Sequence, residues 1–409
     1  MSSATRVQQQ LTTRWSTLRY RMEYNGYLSN HLLHGVVALF DLGGSEEKID
    51  AFTRSYATKL ETTAGPNDGA GSPSDACSPL AHDRKLTWAH ARELLGKRQS
   101  FDGLLSLYAA DVHESGIDGA VKKHLPNLVG GLAGALLHSI IQLGYAYHIG
   151  GDRLVAEGLT YMHFAYLSFD EPLHVNGEER PATKTLSRGE AVHLVQVLNG
   201  NEMLLGEMRR KLQTKPLVDL ETSGLQKRLS TMSGDPERGS AAAFRMIWET
   251  INSYDLSNMG GVLALDLAFW LYAMVEHNDF VILHAVTSAR ALQQVEHLLD
   301  PKDRQRAWKV WLHVALSAFV TNDSKDVRSS DVCEQQLSEP APWQHIVAKT
   351  LALADEGLLE RDLVHVYKLV QVARSHAQRM ESAFLTNEER DWIARKSALK
   401  VITCEFGPL

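Results

Sequence analysis

Cysteine is scarce in this chain, and its scarcity excludes two kinds of small structural site. Only Cys77, Cys333 and Cys404 occur in 409 residues. They lie too far apart for the paired spacing of a zinc finger, and an odd number does not suit a disulfide framework. We therefore expect a protein that folds without disulfides in a reducing compartment, the cytoplasm.

A long uninterrupted apolar segment is also missing. The longest apolar run, Met259–Val275, is slightly short for a membrane span and contains Asp266. The N-terminal stretch MSSATRVQQQLTTRW lacks the apolar core of a signal peptide. The apolar run is therefore predicted to be a buried helix, and no membrane is expected as a partner.

Positive charge is in deficit, and the common motifs of catalytic sites are absent. The chain has 42 Lys and Arg against 49 Asp and Glu, a net charge of −7, which gives no reason to expect nucleic acid as a partner. No GxGxxG follows an expected strand, and there is no P-loop, GxSxG or HExxH. A Rossmann-type flavin or nicotinamide fold therefore has no support.

What the chain does contain is helical periodicity. The segment NHLLHGVVALFDLGG begins at an N-cap residue, Asn30, and ends at Gly43 and Gly44. Apolar residues with a helical period also cover about 99–118, 128–149, 151–169, 241–253, 259–276, 280–299, 301–320, 342–357, 360–382 and 386–400. Alternating strands bounded by hairpin turns are lacking, so the predicted fold class is all-α.

Three polar connections interrupt these helices. Residues 61–79 are rich in Gly, Pro, Ser and Asp, which predicts a flexible loop over about 61–80. Residues 175–185 and 324–342 have a similar composition. Because apolar helices flank each connection, we predict a single large multi-helix domain over residues 1–409, with long polar loops and loose termini.

Two strongly apolar helical segments each carry one histidine. His138 lies within LVGGLAGALLHSIIQLGYAY, and His284 lies within VILHAVTSARAL. Burial of an imidazole costs free energy unless both ring nitrogens find partners. Each is therefore either a core histidine bonded to a carbonyl or a metal ligand. Thr287, one turn after His284, is a candidate to orient its ring.

Two further segments carry polar pairs at a spacing of three residues. His31 and His34 share one helical face, although their spacing alone gives no evidence for a site. His365 and Lys368 lie in the apolar segment LVHVYKLV. Lysine is rarely buried unless it is paired, so Lys368 either extends to solvent, pairs with a carboxylate such as Asp362, or has a function.

Three further histidines are not expected to share a metal with these residues. A helix break at HNDF separates His277 from His284, and His376 lies about 16 Å beyond His365 along its helix. His313 is also interpreted as structural. Four helices that each supply an imidazole from an apolar setting would fit a metal site in a helical bundle. Imidazole ligands favour iron, copper or zinc over magnesium or calcium.

These same segments resemble the questin oxidase-like family of fungal polyketide pathways. NHLLHGVVALFDLGGS resembles its N-terminal histidine motif, and HESGIDGAVKKHLPNLVGGLAGALLHSIIQLGYA is the most specific match. FVILHAVTSARAL and HVYKLV resemble two C-terminal blocks. The resemblance covers roughly residues 25–385 in the same order.

This resemblance implies an all-helical oxygenase that inserts oxygen beside a ring carbonyl of an aromatic polyketide and so opens the ring. It implies non-haem iron, Fe2+, with the ligands His34, His138, His284, His365 and a carboxylated Lys368, and with His31 as the alternative to His34. A carbamate forms only on a neutral amine, which an apolar site favours. It would supply the anionic ligand that four imidazoles lack.

The expected partners follow from this chemistry. They are a small aromatic substrate and dioxygen. The family resemblance also implies NADPH, which would act as an external reductant because the chain lacks a nicotinamide fold. A reductase partner, a homodimer and the choice between monooxygenase and dioxygenase are left open. Two other functions also stay open: a non-catalytic helical scaffold and a zinc hydrolase. Zinc sites usually have three or four protein ligands, so five ligands favour iron.

Overall fold

The fold is described by a computed structural model that covers most of the chain. The described residues are 19–62, 86–172, 184–214, 226, 229–275, 277–321, 339–353, 363–381 and 384–404. Among them, the strands form two short pairs, and Tyr20 and Thr62 make an isolated antiparallel bridge. Strand β1 (Glu23–Tyr24) pairs antiparallel with β2 (Leu28–Ser29), and β3 (Lys184–Thr185) pairs parallel with β4 (Tyr254–Asp255). The predicted all-α class is confirmed.

Helices make up the rest of the regular structure in the described ranges. The α-helices are α1 Leu32–Asp41, α2 Glu46–Ala57, α3 Trp88–Ala91, α4 Phe101–Leu128, α5 His138–Ile149, α6 Asp152–Phe164, α7 Arg188–Asn199, α8 Glu202–Thr214, α9 Ala241–Asn252, α10 Gly261–Met274, α11 Phe280–Val295, α12 Pro301–Val320, α13 Trp343–Leu351, α14 Leu363–Ala377 and α15 Asn387–Thr403. Short 3-10 helices cover Arg92–Leu94, Arg98–Ser100, Val129–Gly131 and Glu296–Leu298.

Local sequence signals explain where several helices begin and end. Ser45 and Asp279 accept backbone N–H groups at the starts of α2 and α11. Thr386 and Glu389 form a complete capping box at the start of α15. Gly150 ends α5 with φ of 74°, a left-handed conformation that glycine adopts without strain.

Some helix boundaries differ from the sequence predictions. The segment expected to be continuous over about 128–149 breaks after Val129–Gly131, and α5 begins only at His138. The reason is a left-handed turn at Ala135, Leu136 and Leu137, none of which is glycine. Helices α2, α7 and α8 were not predicted, although in α2 the buried Ile49, Phe52 and Tyr56 follow a helical spacing.

One apolar core joins almost all of these helices. Its largest buried side chains include Trp270 on α10 and Trp308 and Trp311 on α12. The Met259–Val275 run forms the buried helix α10, as predicted. Across the described residues, no helix combines the length and apolarity that crossing a bilayer would require.

Parts of several sequence predictions lie outside the described residues. These are most of the connections at 61–79, 175–185 and 324–342, together with Cys77, Cys333 and Asp362. Cys404 is described, and it is an exposed free thiol.

The helices α1, α5, α11 and α14 run in the same direction at the centre of the fold. His31 and His34 on α1 meet His138 and Gln142 on α5, in that order. Further along, a Cβ on Gly144 of α5 would lie 2.4 Å from the Cα of Ala291 on α11, so these two helices are in close contact. Gln371 on α14 likewise bonds Asp41 on α1 and Tyr145 on α5. Helices α1, α5 and α11 therefore begin at one place.

Candidate metal centre

Four buried histidines meet where these helices begin. His31 is the N-cap of α1, His138 is the first residue of α5, His284 lies on α11 and His365 lies on α14. The Nε2 of His138 is 2.6 Å from that of His31 and 3.0 Å from that of His284. The Nε2 of His365 is 3.0 Å from that of His284. One nitrogen from each of the four rings lies within 4.8 Å of the other three.

The opposite ring nitrogens of His138 and His284 are held by backbone carbonyls, and this fixes the tautomers of these two rings. The Nδ1 of His138 lies 2.6 Å from the carbonyl oxygen of Ala135, and the Nδ1 of His284 lies 2.6 Å from that of Phe280. A carbonyl oxygen only accepts, so both Nδ1 atoms carry the ring proton. In neutral rings the two Nε2 atoms then present lone pairs to each other across 3.0 Å. A cation between them removes this repulsion.

His31 is held differently, by a phenol. Its backbone N–H donates to the Tyr56 hydroxyl oxygen over 3.1 Å, and its Nδ1 lies 3.0 Å from the same oxygen. Either group of the second contact can donate, so His31 can adopt the tautomer that leaves Nε2 free to bind a metal. Carbonyl and hydroxyl partners of this kind orient metal-binding imidazoles in proteins.

The electrostatic environment favours neutral rings. Burial holds the pKa of His31 and of His284 well below the usual value, and the nearby Lys368 and neighbouring imidazoles lower both pKa values further. Neutral imidazole is the form that binds a metal. The set of donors therefore fits a transition metal ion such as iron, copper or zinc.

A left-handed turn aims His138 into the group. Ala135, Leu136 and Leu137 have φ of 50°, 55° and 67°, and among the described residues Asn25 is the only other non-glycine residue with positive φ. Such conformations carry steric strain and are concentrated at functional sites. The turn brings the Ala135 carbonyl beneath the His138 ring, where it accepts both Nδ1–H and the backbone N–H.

The structure brings together three of the four predicted histidines and replaces the fourth. His138, His284 and His365 meet with His31, the alternative, and not with His34. The Nε2 of His34 is instead 2.9 Å from the Gln142 side-chain oxygen. Lys368 is fully buried on α14, one turn after His365. As a metal-ligand set, these residues stay a prediction.

The suggested role of Thr287 is not supported. Its hydroxyl bonds the backbone carbonyls of Leu283 and His284, and the Phe280 carbonyl orients the His284 ring. A hydroxyl one turn after a residue on a helix reaches the helix backbone more readily than the neighbouring ring.

The other histidines behave as the sequence indicated. His313 bonds the Phe244 carbonyl over 3.0 Å, and His376 bonds Asp266 over 2.8 Å. His277 lies between α10 and α11, outside the four-histidine group. Sequence reasoning missed Tyr56 and Gln142. A glutamine four residues after His138 in an otherwise apolar segment was the available signal for Gln142.

Comparison with known proteins finds a matching family. A family model described as questin oxidase-like matches residues 28–373, which contain all four histidines and Lys368. A search of curated proteins finds no match. The chain therefore belongs to the questin oxidase-like family, which identifies it at the coarse level as an oxidoreductase of the oxygenase type.

Proposed function

We propose that this protein is a non-haem iron oxygenase that inserts oxygen beside a ring carbonyl of an aromatic polyketide-like substrate, leading to ring opening. The observation that carries the proposal is the convergence of four buried Nε2 atoms, two of which present facing lone pairs. Family membership supports the reaction class. Iron(II), when bound, would supply the electrons that activate dioxygen.

The charge balance of the site supports a fifth, anionic ligand. Four neutral imidazoles do not balance the positive charge of a divalent cation. Among the described residues, no carboxylate joins their group. Helices α1, α5 and α11 also direct their positive ends here, which favours an anion beside the cation. Lys368 is fully buried one turn from His365, so we propose that its carboxylated form supplies the oxygen ligand.

The chain itself would hold the metal and keep water away from it. The carbonyls of Ala135 and Phe280 fix two rings, and the Tyr56 hydroxyl fixes a third. The Phe280 ring packs against His284 and His365 at centroid distances of 4.6 and 4.5 Å. Such an apolar wall protects reactive species from water.

The experiment combines metal loading with isotope labelling. The purified protein is loaded with iron(II) anaerobically, desalted, and examined by metal analysis and by electron paramagnetic resonance with nitric oxide. It is then given questin, NADPH and a reductase under 18O2. We expect about one iron per chain, a high-spin iron–nitrosyl signal and one or more 18O atoms in an opened-ring product. Less than a tenth of an equivalent of iron contradicts the proposal, and tight zinc binding with hydrolytic activity favours the zinc alternative.

The source of electrons is a separate part of the proposal. We propose that NADPH, used through a reductase partner, supplies them from outside the chain. Consumption of NADPH only when a reductase is added would support this, whereas NADPH oxidation by the purified chain alone would contradict it. The homodimer stays a prediction, which the mass in solution tests.

A further inference from the structure

His34 and Gln142 form a polar pair one helical turn beyond the metal centre. His34 follows His31 by three residues on α1, and Gln142 follows His138 by four on α5, so each lies on the same helical face as a clustered histidine. The His34 ring is 1% exposed and the Gln142 side chain is 0% exposed. Their Nε2 and Oε1 atoms lie 2.9 Å apart.

Each member of this pair has a second polar atom that its surroundings leave without a hydrogen bond. Within the described part of the chain, the Nδ1 of His34 and the Nε2 of Gln142 are buried and have no partner. Because the Gln142 oxygen only accepts, the His34 Nε2 carries the ring proton and its Nδ1 keeps a lone pair. The pair therefore offers one free acceptor and one free donor group. Leaving such groups unsatisfied costs about 1–3 kcal/mol each, which favours a polar ligand.

Lys368 lies at the level of this pair along the bundle. On α14, His365 belongs to the metal centre, and Gln371 contacts Asp41 and Tyr145 further along. Along α14, Lys368 lies midway between His365 and Gln371. His34 on α1 and Gln142 on α5 likewise lie between the clustered histidines and the residues that Gln371 contacts. Lys368 is close enough that its protonated form would lower the pKa of His34, and carboxylation would remove that positive charge.

We propose that His34 and Gln142 are the hydrogen-bond partners of carboxylated Lys368. The Gln142 amide donates to a carbamate oxygen, and the His34 Nδ1 accepts the carbamate N–H. The inference rests on the proposed function, and it assigns a role to the one predicted histidine that the metal centre leaves out. His34 and Gln142 are positioning residues in this scheme, because they act on the metal through Lys368.

The carboxylation is balanced with carbon dioxide as the only co-reactant. The lone pair of the neutral Lys368 Nζ attacks the carbon of carbon dioxide and forms an N–C bond. One C=O π pair moves onto oxygen to give the anion, and one proton leaves the nitrogen for solvent. No electron is transferred. The product keeps one N–H donor and gains oxygen acceptors, which matches the free acceptor and donor of the pair.

The test measures the carbamate directly. Wild type, Gln142→Met and Lys368→Met are equilibrated with 13C-bicarbonate, and the carbamate carbon is measured by 13C NMR alongside iron content. Gln371→Met is the matched control, since it removes an amide one turn further along the same helix as Lys368. We expect a signal in wild type and in the control, none in Lys368→Met, and at least a tenfold weaker signal in Gln142→Met that high bicarbonate partly restores.

Two outcomes separate this inference from the proposed function. A wild-type protein that shows neither the carbamate signal nor bound iron refutes the proposed function itself. A wild-type protein with both, accompanied by an unchanged Gln142→Met variant, overturns the role of the pair alone. Circular dichroism confirms that each variant is folded. His34→Gln, which lacks the imidazole Nδ1, provides the same measurement if Gln142→Met does not fold.

Discussion

Two of the buried polar clusters that contain histidine in the described residues are built in opposite ways. In the metal centre, four imidazole nitrogens face one another. In the second, which we call the Asp266 cluster, the Asp266 carboxylate accepts from His376 and from two nitrogens of Arg390. Backbone N–H groups of Phe384 and Leu385 donate to the same carboxylate.

The difference shows how a structural cluster can be told from a ligand site. Every hydrogen bond of the Asp266 carboxylate joins a donor to this acceptor, so the carboxylate itself needs no ligand. Within this cluster the Nδ1 of His376 is buried without a hydrogen-bond partner. Burial alone would raise the pKa of Asp266, but the hydrogen bonds from His376 and Arg390 outweigh it and lower the pKa. In the candidate metal centre lone pairs face lone pairs, and a cation between them would remove this repulsion. Burial of histidine alone does not distinguish the two.

The largest predicted effect concerns the Asp266 cluster. Asp266→Asn leaves the buried Arg390 charge uncompensated, which should lower the free energy of unfolding by about 3–5 kcal/mol. Urea unfolding measures this loss, and the iron content of the folded variant should stay at the wild-type value. Asp266→Leu combined with Arg390→Met should recover the part of the loss that comes from the unpaired Arg390 charge, but not the part that comes from the donors His376, Phe384 and Leu385. A loss below about 1 kcal/mol would show that the ion pair is not what holds α10 to α15.

The second prediction compares a histidine from each cluster. At an iron(II) concentration of 100 times the Kd, binding should stabilise the wild type by about 2.7 kcal/mol. His284→Ala removes one of the four donors and should lose this gain, whereas His376→Ala should keep it despite lower stability without metal. Anaerobic thermal unfolding with and without iron(II) provides the measurement. Equal gains in both variants would place the bound metal elsewhere.

A third prediction sharpens the contrast between paired and isolated carboxyl groups. Glu157 on α6 is buried, and burial raises its pKa to about 8 despite the opposing charge of Arg153. At a pH between the ordinary pKa of a glutamate and about 8, the folded state therefore keeps the Glu157 proton, whereas the unfolded chain has released it. Stability should fall between pH 5 and 8 by up to about 1.4 kcal/mol per pH unit. Glu157→Gln should remove this slope in urea unfolding, and Glu114→Gln on an exposed helix face should retain it.

The smallest predicted effect concerns the strained turn before His138. Glycine adopts φ of 50° without a side-chain clash, so Ala135→Gly should raise stability by about 1 kcal/mol. Ala133→Gly, at a neighbouring residue without positive φ, should lower it by a similar amount. Thermal unfolding compares the two variants. An equal loss in both would mean that the left-handed turn stores no relievable strain.

Much of the fold and part of the site could be predicted from the sequence. Apolar residues on both sides of His138 and His284 required burial at any helical phase, and the structure buries both. The boundaries of α5 could not be predicted, because Ala135, Leu136 and Leu137 are ordinary helix formers that adopt a left-handed turn. Their conformation depends on tertiary contacts, such as the hydrogen bond from the Leu136 N–H to the Gln226 side chain.

The sequence by itself determined that this chain folds into helices and that several of them carry histidine in an apolar setting. Tertiary structure decided that His31, and not His34, joins the cluster. The two residues lie about 4.5 Å apart along one helical face, so the local sequence cannot show which of them is nearer to His138. The position of α5 against α1 sets which one meets His138, and that position follows from packing between segments more than 100 residues apart in sequence.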